Sequence, residues 1–225
     1  MVDTDGFGGL FGQTGASGSP GEVTDLGLED VDISGEGSVG ALLGPNSATI
    51  TNVYVTGDIQ GGNGTLPTTG GPVGMTNGNI SRSFSAATVE GPDNVGGLVG
   101  KTRRRQERNH TLPGSVNVTG RFPGGCLVGD NNLSGATVTN PYPTEEVSAG
   151  IGAGGPVGYA ANGDLKDSYW DTDVTDDSTA VDDGSLNATY LTTAQLQRLT
   201  ATDNINGFDF TNVWQTNSGD YLTLR

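Results

Sequence analysis

The residues that most often carry catalysis or metal binding are scarce in this chain. It contains one histidine, His110, and one cysteine, Cys126, among its 225 residues. A Ser-His-Asp relay would have to use His110, because the imidazole is the general base of that mechanism. A cysteine-rich metal site and an intrachain disulfide both need more than one cysteine. The sequence therefore predicts no cofactor and no histidine- or cysteine-rich metal site.

Carboxylates are the other candidates for chemistry. Asp171, Asp173, Asp176 and Asp177 form a cluster of oxygen ligands, which are the ligands that Ca²⁺ prefers. Their spacing matches neither the EF-hand loop nor the calcium-binding nonapeptide of β-rolls. They are weak candidates for a metal site, and a hydrated acidic loop is the favoured interpretation.

Asparagine sequons mark a second kind of candidate site. The pattern Asn-x-Ser/Thr occurs at Asn63, Asn79, Asn109, Asn117, Asn132 and Asn187. In exported proteins this pattern accepts N-linked glycans and lies on the surface. These six residues are therefore glycosylation candidates if the chain is exported, although its acidic start, residues 1–5, is not a secretory signal.

Charge and composition narrow the class of protein. Acidic residues outnumber basic ones 26 to 10, which gives a formal net charge of −16. That charge repels nucleic acid and anionic membranes, and no apolar run approaches the roughly 18 residues of a membrane span. Aspartate dominates the acids and lysine occurs only at 101 and 166. This bias is typical of halophilic proteins, because concentrated salt screens self-repulsion; an acidic adhesin from an ordinary environment is the alternative.

A glycine block recurs along the chain. Its copies are GGLFG (8–12), GALLG (40–44), GGPVG (70–74), GGLVG (96–100), GGCLVG (124–129) and GGPVG (154–158). They end at Gly12, Gly44, Gly74, Gly100, Gly129 and Gly158, at intervals of 26 to 32 residues. In this alignment the fifth copy carries an extra residue, and Pro72, Cys126 and Pro156 replace the leucine. We place both prolines at coil corners or bulges, because proline lacks an amide donor.

Short alternating runs follow several copies of the block. They begin at Ile50, Ile80 and Leu165 and are rich in β-branched and aromatic residues, which favours strands; in the first copy the matching strand is expected at 31–33. Each unit has too few apolar side chains to fold alone, so neighbouring units must stack. The glycines suit corners that need a left-handed φ or close backbone approach. The sequence predicts an all-β, right-handed parallel β-helix-like solenoid of five or six coils, with repeats of about 29 residues.

The GGLVG block followed by an Ile-x-x-Ser-aromatic strand resembles the GLUG-motif repeat family. The best copies are 96–100 and 71–85, and the resemblance extends into a tail that often follows such repeats, from DSYW (167–170) to YLTL (221–224). It implies β-helical segments of large secreted or surface proteins, some adhesin-like and some beside the catalytic domain of immunoglobulin-A-cleaving zinc peptidases. The chain has no HExxH motif, so the peptidase activity does not carry over.

The C-terminal tail has the composition of a cap. Eight of the 14 aromatic residues lie between Tyr159 and Tyr221, and bulky side chains suit a segment that covers the last coil. A helix is predicted over 191–199, with Thr192 as the N-cap and Gln195 completing a capping box. Trp170 and Trp214 are expected to pack in the cap, and stacking on sugar rings is the alternative.

One stretch interrupts the repeat. Residues 101–110 hold five of the ten basic residues and no apolar residue, where the family pattern expects a turn into the next strand. A solvated insertion is the favoured interpretation. A local frameshift in the gene and a basic loop that binds an anionic partner are the alternatives.

The predicted organisation is a repeat region at 1–166 followed by a capping segment at 167–225. Asp58, Glu90 and Asp130 fall at different phases of the repeat, whereas glycoside hydrolysis needs two carboxyls about 5–10 Å apart. We therefore expect a non-enzymatic stalk or adhesive segment of a larger extracellular or cell-surface protein. Its expected partners are adjacent repeats of a longer chain, or a surface glycan or protein. The alternatives are a carbohydrate-active β-helix enzyme and the accessory domain of a larger surface peptidase.

Overall fold

The chain folds as a parallel β-solenoid of about five turns with few helices, as the repeat predicts. The computed structural model describes residues 2–4, 6–14, 21–65, 67–103, 110–112, 116–119, 124–143, 147–149, 153–174, 188–197 and 201–225. Strands of three sheets follow one another in a repeating order along the chain, so the chain winds around the solenoid axis and the coils stack along it.

Three parallel sheets form the walls of the solenoid. The large sheet contains β1 (Val2–Thr4), β3 (Glu22–Gly35), β6 (Thr49–Gly61), β9 (Ile80–Ser81), β10 (Ser83–Gly91), β13 (His110–Leu112), β14 (Val116–Val118), β18 (Pro141–Pro143) and β19 (Val147–Ala149). The second sheet contains β2 (Phe7–Gly8), β4 (Ser38–Val39), β7 (Thr68–Gly70), β11 (Val95–Gly96), β15 (Gly124–Gly125) and β20 (Ala153–Gly154). The third sheet contains β5 (Leu43–Asn46), β8 (Val73–Thr76), β12 (Val99–Thr102), β16 (Val128–Asp130) and β21 (Val157–Tyr159).

The remaining elements lie toward the C-terminal end. Strand β17 (Thr137–Thr139) pairs with β22 (Asp164–Lys166), and β23 (Ser168–Asp171) pairs with β24 (Ala188–Leu191), both in parallel. Helices α1 (Thr193–Leu196) and α2 (Ala201–Asn204) follow, and β25 (Trp214–Gln215) and β26 (Thr223–Leu224) form an antiparallel pair.

Apolar side chains stack in columns, because in-register parallel strands place equivalent residues one above another. One column of the third sheet consists of Leu43, Val73, Val99, Val128 and Val157, each at most 2% exposed. Burial of one such side chain contributes roughly 1.5–3 kcal/mol. The thin core is therefore stabilised by repeating the same contact in every coil.

The glycine blocks bring the second and third sheets into backbone contact. A Cβ at Gly100 would lie 2.6 Å from the carbonyl oxygen of Gly74 and 2.6 Å from the amide nitrogen of Thr69. Equivalent clashes with backbone atoms await a Cβ at Gly44, Gly74, Gly129 and Gly158. None of these five glycines has a left-handed φ, whereas Gly12 of the first block does, at 62°. Close backbone approach is therefore what the later blocks require.

The strand register corrects the alignment of the fifth block. Gly96 pairs with Gly125, and Val99 pairs with Val128. The same number of residues separates each pair, so the fifth block carries no extra residue. Cys126 consequently takes the place of a second glycine rather than of the leucine, and its side chain is buried at 3% exposure.

The first block is also offset. Gly8 pairs with Val39 in the second sheet, so Gly9 is the counterpart of Gly40. Gly12 therefore lies one position before the counterpart of Gly44. The amide of Gly44 donates to the carbonyl oxygen of Gly12 at 2.9 Å.

The two prolines lie at bends between the second and third sheets, as predicted. The carbonyl oxygen of Pro72 accepts from the amide of Leu42 at 3.0 Å, and that of Pro156 accepts from the amide of Leu127 at 3.2 Å. A proline carbonyl can thus join the stack of coils although its nitrogen cannot donate.

Strand β3 is longer than the strand expected at 31–33. Val23 lies beside Ile50, while Val31 lies beside Gly57, with a register shift between Leu28 and Val31. The sequence pattern does not identify Val23 as the partner of Ile50. Acidic residues interrupt β3, and such residues are depleted in strands.

Most described coils bend at a residue with a left-handed backbone. Asp25, Asn52, Arg82, Asn140 and Asp167 have φ between 46° and 55°. Asn and Asp tolerate this conformation better than other residues with a Cβ. Of these five residues, Arg82 is therefore the one whose side chain does not favour the left-handed conformation.

The predicted helix is present in a shorter form. Helix α1 begins after the N-cap Thr192, whose amide donates to Oε1 of Gln195 at 2.9 Å. The capping box is therefore confirmed, whereas Leu199 of the predicted helix lies outside the described residues.

The solenoid and the tail each contribute an aromatic side chain to the core of the other. Trp170 packs into the solenoid core and lies against Gly155, where a Cβ would clash with the indole. Conversely, Tyr142 of β18 belongs to the core of the tail, with Leu196, Phe208 and Trp214.

Candidate functional site: a polar cleft beside the large sheet

Polar side chains form a row that runs across four strands of the large sheet. Ser34 pairs in register with Gln60, Gln60 with Glu90, and Glu90 with Asn117. The amide nitrogen of the Asn117 side chain donates to Oε1 of Glu90 at 3.2 Å. Neighbouring strands lie about 4.8 Å apart, so the row presents a polar group at that interval along the solenoid axis.

A cleft of about 490 Å³ opens beside this row, where the chain leaves the large sheet for the second sheet. Its lining comes from four successive coils and consists of Ser34, Gly35, Glu36, Gln60, Gly61, Gly62, Asn63, Glu90, Gly91, Pro92 and Thr119. Backbone hydrogen bonds hold the coils together here: the amide of Gly62 donates to the oxygen of Gly35 at 2.6 Å, and that of Thr119 donates to Gly91 at 2.9 Å. The cleft is thus part of the solenoid wall.

The lining of the cleft is polar and negatively charged. It contains two carboxylates, Glu36 and Glu90, and none of its residues is basic or aromatic. The remaining polar groups are the hydroxyls of Ser34 and Thr119 and the side-chain amides of Gln60 and Asn63. The cleft can therefore donate and accept hydrogen bonds, and it repels polyanions.

Asp58 and Asp130 lie outside the row of Glu90. Asp58 pairs with Thr88, two residues before the row of Glu90, and Asp130 pairs with Lys101 in the third sheet. Asp58, Glu90 and Asp130 therefore differ in phase, as the sequence indicates. The sequence pattern does not show that Asp32 lies directly beside Asp58, because it matches residues 31–33 to the strand that begins at Ile50.

An aromatic row lies nearer the start of the same strands. The rings of Tyr54 and Phe84 are parallel, with an interplanar angle of 8° and centroids 5.2 Å apart. A Cβ at Gly27, the register partner of Tyr54, would clash with the Tyr54 ring. Both faces of Tyr54 are thus in contact with protein and are not open for a sugar ring. A hydrogen bond from its hydroxyl to Glu29 raises the pKa of Tyr54.

The two tryptophans are buried, so the alternative that they stack on external sugars is wrong. Trp170 is 2% exposed and Trp214 is 0% exposed. Trp214 stacks on Phe208 with centroids 4.7 Å apart, which places it in the packing of the tail.

Asp171 and Asp173 form hydrogen bonds within the tail. Asp171 is buried, and its Oδ2 accepts from the hydroxyl of Thr193 at 2.7 Å and from that of Tyr221 at 2.5 Å. Asp173 Oδ2 accepts from the amide of Thr193 at 3.0 Å. Asp176 and Asp177 lie outside the described residues. Within the described ranges, no group of three or more His, Cys, Asp or Glu is placed to hold a metal ion.

The sequons differ in the accessibility of the amide nitrogen that would accept a glycan. Asn63 and Asn79 are exposed. Asn117 and Asn132 are half-buried, and each is hydrogen-bonded: Asn117 to Glu90, and Asn132 through its side-chain oxygen to Asn162 at 2.9 Å. Asn109 and Asn187 lie outside the described residues.

The start of the basic stretch follows the solenoid register. Lys101 forms an ion pair with Asp130, its register partner. The buried Thr102 donates to Oδ1 of Asn131 at 2.5 Å. In earlier coils the side-chain amide of the buried Asn46 donates to the hydroxyl of the buried Thr76 at 3.1 Å. Residues 104–109 lie outside the described residues, and the large sheet continues at His110.

Comparisons with known proteins agree with this architecture. No known family profile matches the chain. The chain is 31% identical over 269 aligned residues to halomucin of Haloquadratum walsbyi, a match that spans 96% of this chain and 3% of the length of halomucin. A crystal structure of a candidate immunoglobulin A1 protease from Bacteroides ovatus superposes with a TM-score of 0.68, over 99% of this chain and 75% of that one, at 17% identity. The latter likeness shows the fold alone.

None of the helices in the described ranges has the length and apolar composition needed to cross a membrane.

Proposed function

We propose that this chain is a non-enzymatic, GLUG-type repeat segment of a larger secreted or cell-surface protein, in which it serves as a stalk or adhesive surface. The observation that carries the proposal is the similarity to halomucin, which runs along 96% of this chain and occupies 3% of a much longer protein. The glycine blocks and the ordered tail support the assignment to GLUG-motif repeats. The division into repeats at 1–166 and a cap at 167–225 is part of the proposal.

The acidic surface supports work in concentrated salt. Asp32 and Asp58 are exposed register neighbours on adjacent strands, and the formal net charge is −16. At about 1 M salt the Debye length falls to about 3 Å, so the repulsion between such neighbours becomes small. The halophilic character therefore belongs to the proposed function.

The first coil offers a surface for a partner of the same kind. Phe7, Leu10 and Phe11 are 51%, 57% and 52% exposed, beside the edge strands β1 and β2. Exposed strand edges pair readily with further strands, and solenoids bury such a face by stacking another repeat. We propose that adjacent repeats of a longer chain cover this edge.

Glycosylation is the modification that fits an extracellular location. The exposed amides of Asn63 and Asn79 are the preferred acceptors, because those of Asn117 and Asn132 are half-buried. Glycopeptide mass spectrometry of the chain isolated from its own cells should show higher occupancy at the first two. Occupancy concentrated at Asn117 would contradict this order.

Two alternatives have specific tests. The likeness to the candidate immunoglobulin A1 protease supports the accessory domain of a larger surface peptidase, and its test is whether a zinc-site motif is encoded in the same gene. A carbohydrate-active enzyme would release reducing ends from polysaccharides, and reproducible release by the purified chain would replace the non-enzymatic proposal.

Antibody labelling of intact cells tests the location. Antibodies against the purified chain should bind intact cells, or detect the chain in the medium, before lysis. Labelling that requires lysis would contradict a secreted or surface role. A cytoplasmic marker protein serves as the control for intact cells.

A further inference from the structure

The cleft between the large and second sheets has the form of a site for a chain-like ligand. Its lining residues come from four successive coils, from Ser34 in the first to Thr119 in the fourth. Because the coils stack along one axis, a ligand in the cleft would lie parallel to that axis. A linear polymer, rather than a compact metabolite, fits this geometry.

The charge of the cleft lining narrows the class of polymer that can bind there. Glu36 and Glu90 are the charged residues of the lining, and no Lys, Arg or His contributes to it. Acidic polysaccharides and nucleic acids are polyanions and would be repelled. The ligand must therefore be neutral or cationic.

Hydrogen-bonding capacity favours a neutral ligand. The register row places a hydroxyl, an amide and a carboxylate side by side, at Ser34, Gln60 and Glu90. The amide of Asn117 donates to one oxygen of Glu90, and the carboxylate retains acceptor capacity for a ligand hydroxyl. Hydroxyl groups of a sugar chain can both donate to and accept from such a row.

We propose that the cleft binds a neutral polysaccharide chain that lies along the solenoid axis, held by hydrogen bonds to the row Ser34, Gln60 and Glu90. The inference rests on the proposed surface role for access to external glycans, and it applies to chains in which Asn63, which lines the cleft, carries no glycan of its own. It is tested on the purified chain, so its failure leaves the result of cell labelling unaffected.

Isothermal titration calorimetry of the full chain, produced without N-glycosylation, is the test. The ligands are neutral hexasaccharides of β-1,4-linked glucose and mannose, with an oligogalacturonate of equal length as the acidic comparison. We expect binding of at least one neutral ligand and none of the galacturonate. Since the binding depends on neutral hydrogen bonds, its affinity should change by no more than about twofold between low salt and about 2 M NaCl.

Two substitutions locate the site. Gln60→Ala should weaken binding by roughly three- to tenfold, the worth of one net hydrogen bond. Thr88→Ala changes an exposed residue of the same sheet outside the cleft and should leave the affinity unchanged. Circular dichroism of both variants checks that the solenoid is intact.

Three results of the titrations with sugars would overturn the proposal. They are no binding of either neutral hexasaccharide, equal affinity of Gln60→Ala and the unsubstituted chain, or stronger binding of the galacturonate. Preferential binding of a lysine oligopeptide that is lost in concentrated salt would indicate a cation site and would overturn it as well.

Discussion

Arg82 occupies the same left-handed bend as Asn52 of the preceding coil. Arg82 has φ 49° and Asn52 has φ 55°, and the residues before them, Ser81 and Thr51, are register partners. The bend is therefore a property of the coil, and Arg82 adopts it against its own preference. The left-handed conformation costs an ordinary L-residue about 1–2 kcal/mol.

Arg82→Asn should consequently stabilise the protein by roughly 1 kcal/mol, because Asn tolerates the left-handed region. Urea unfolding followed by circular dichroism measures the change. Arg82→Lys is the matched control, since it retains the charge and should bring no gain. Equal stabilisation by both substitutions would assign the effect to something other than the backbone.

Gly100→Ala should destabilise the protein by at least about 1–3 kcal/mol, the usual cost of forcing an extra methyl group into packed structure. The new Cβ would lie 2.6 Å from the oxygen of Gly74. Gly21→Ala is the control, because its Cβ would lie 3.8 Å from the nearest atom, Cβ of Ala48. Thermal unfolding compares them, and a tolerated Gly100→Ala would refute backbone contact between the sheets.

Asp58→Asn should raise the melting temperature in dilute buffer, because it removes one member of the exposed Asp32–Asp58 pair. The gain should disappear at about 1 M salt, where the Debye length is about 3 Å. Glu22→Gln removes an acid whose register partner is Thr49, and it should raise the melting temperature less. A gain for Asp58→Asn that is the same at every salt concentration would speak against charge repulsion.

Tyr142 should make the docking of the tail sensitive to alkali. Burial raises the pKa of its hydroxyl, which donates to the oxygen of Leu196 at 2.6 Å. A raised folded-state pKa means that this stabilisation is complete below the ordinary pKa of about 10 and is lost as the pH rises beyond it. The contribution of Tyr142 to the melting temperature should therefore be constant up to pH about 10 and should fall at higher pH.

Tyr142→Phe separates this effect from general alkaline unfolding. It should cost about 1 kcal/mol at neutral pH, where the hydrogen bond is lost, and the melting temperature should then depend less on pH above about 10. Identical alkaline slopes for the two proteins would remove Tyr142 as the cause. Tryptophan fluorescence reports the transition, because Trp214 packs in the same core.

The period of the sequence predicted the solenoid, because one coil must be about as long as the next for its columns to stack. The period did not predict the strand register in detail. Cys126 replaces a glycine rather than a leucine, which only pairing with the neighbouring coil reveals. Acidic residues hid most of β3, and with it the Asp32–Asp58 pair.

The cleft could not be predicted, because its lining residues are up to 85 positions apart in sequence, from Ser34 to Thr119. Gln60 and Glu90 each follow the last glycine of a block, Gly44 or Gly74, by 16 residues, whereas Ser34 follows Gly12 by 22. The offset from the block therefore does not define the whole row. The capping box at Thr192 depends on a local pattern and was predictable. Trp170 was expected in the cap, but it packs in the solenoid core against Gly155, a contact that no local pattern reveals.

The two lysines of the chain offer the most direct test of its proposed surface role. Lys166 is exposed, whereas Lys101 is partly buried and ion-paired with Asp130. A membrane-impermeant amine reagent applied to intact cells, followed by peptide mass spectrometry, should label Lys166 well before Lys101. Labelling of Lys166 only after lysis would contradict the surface location.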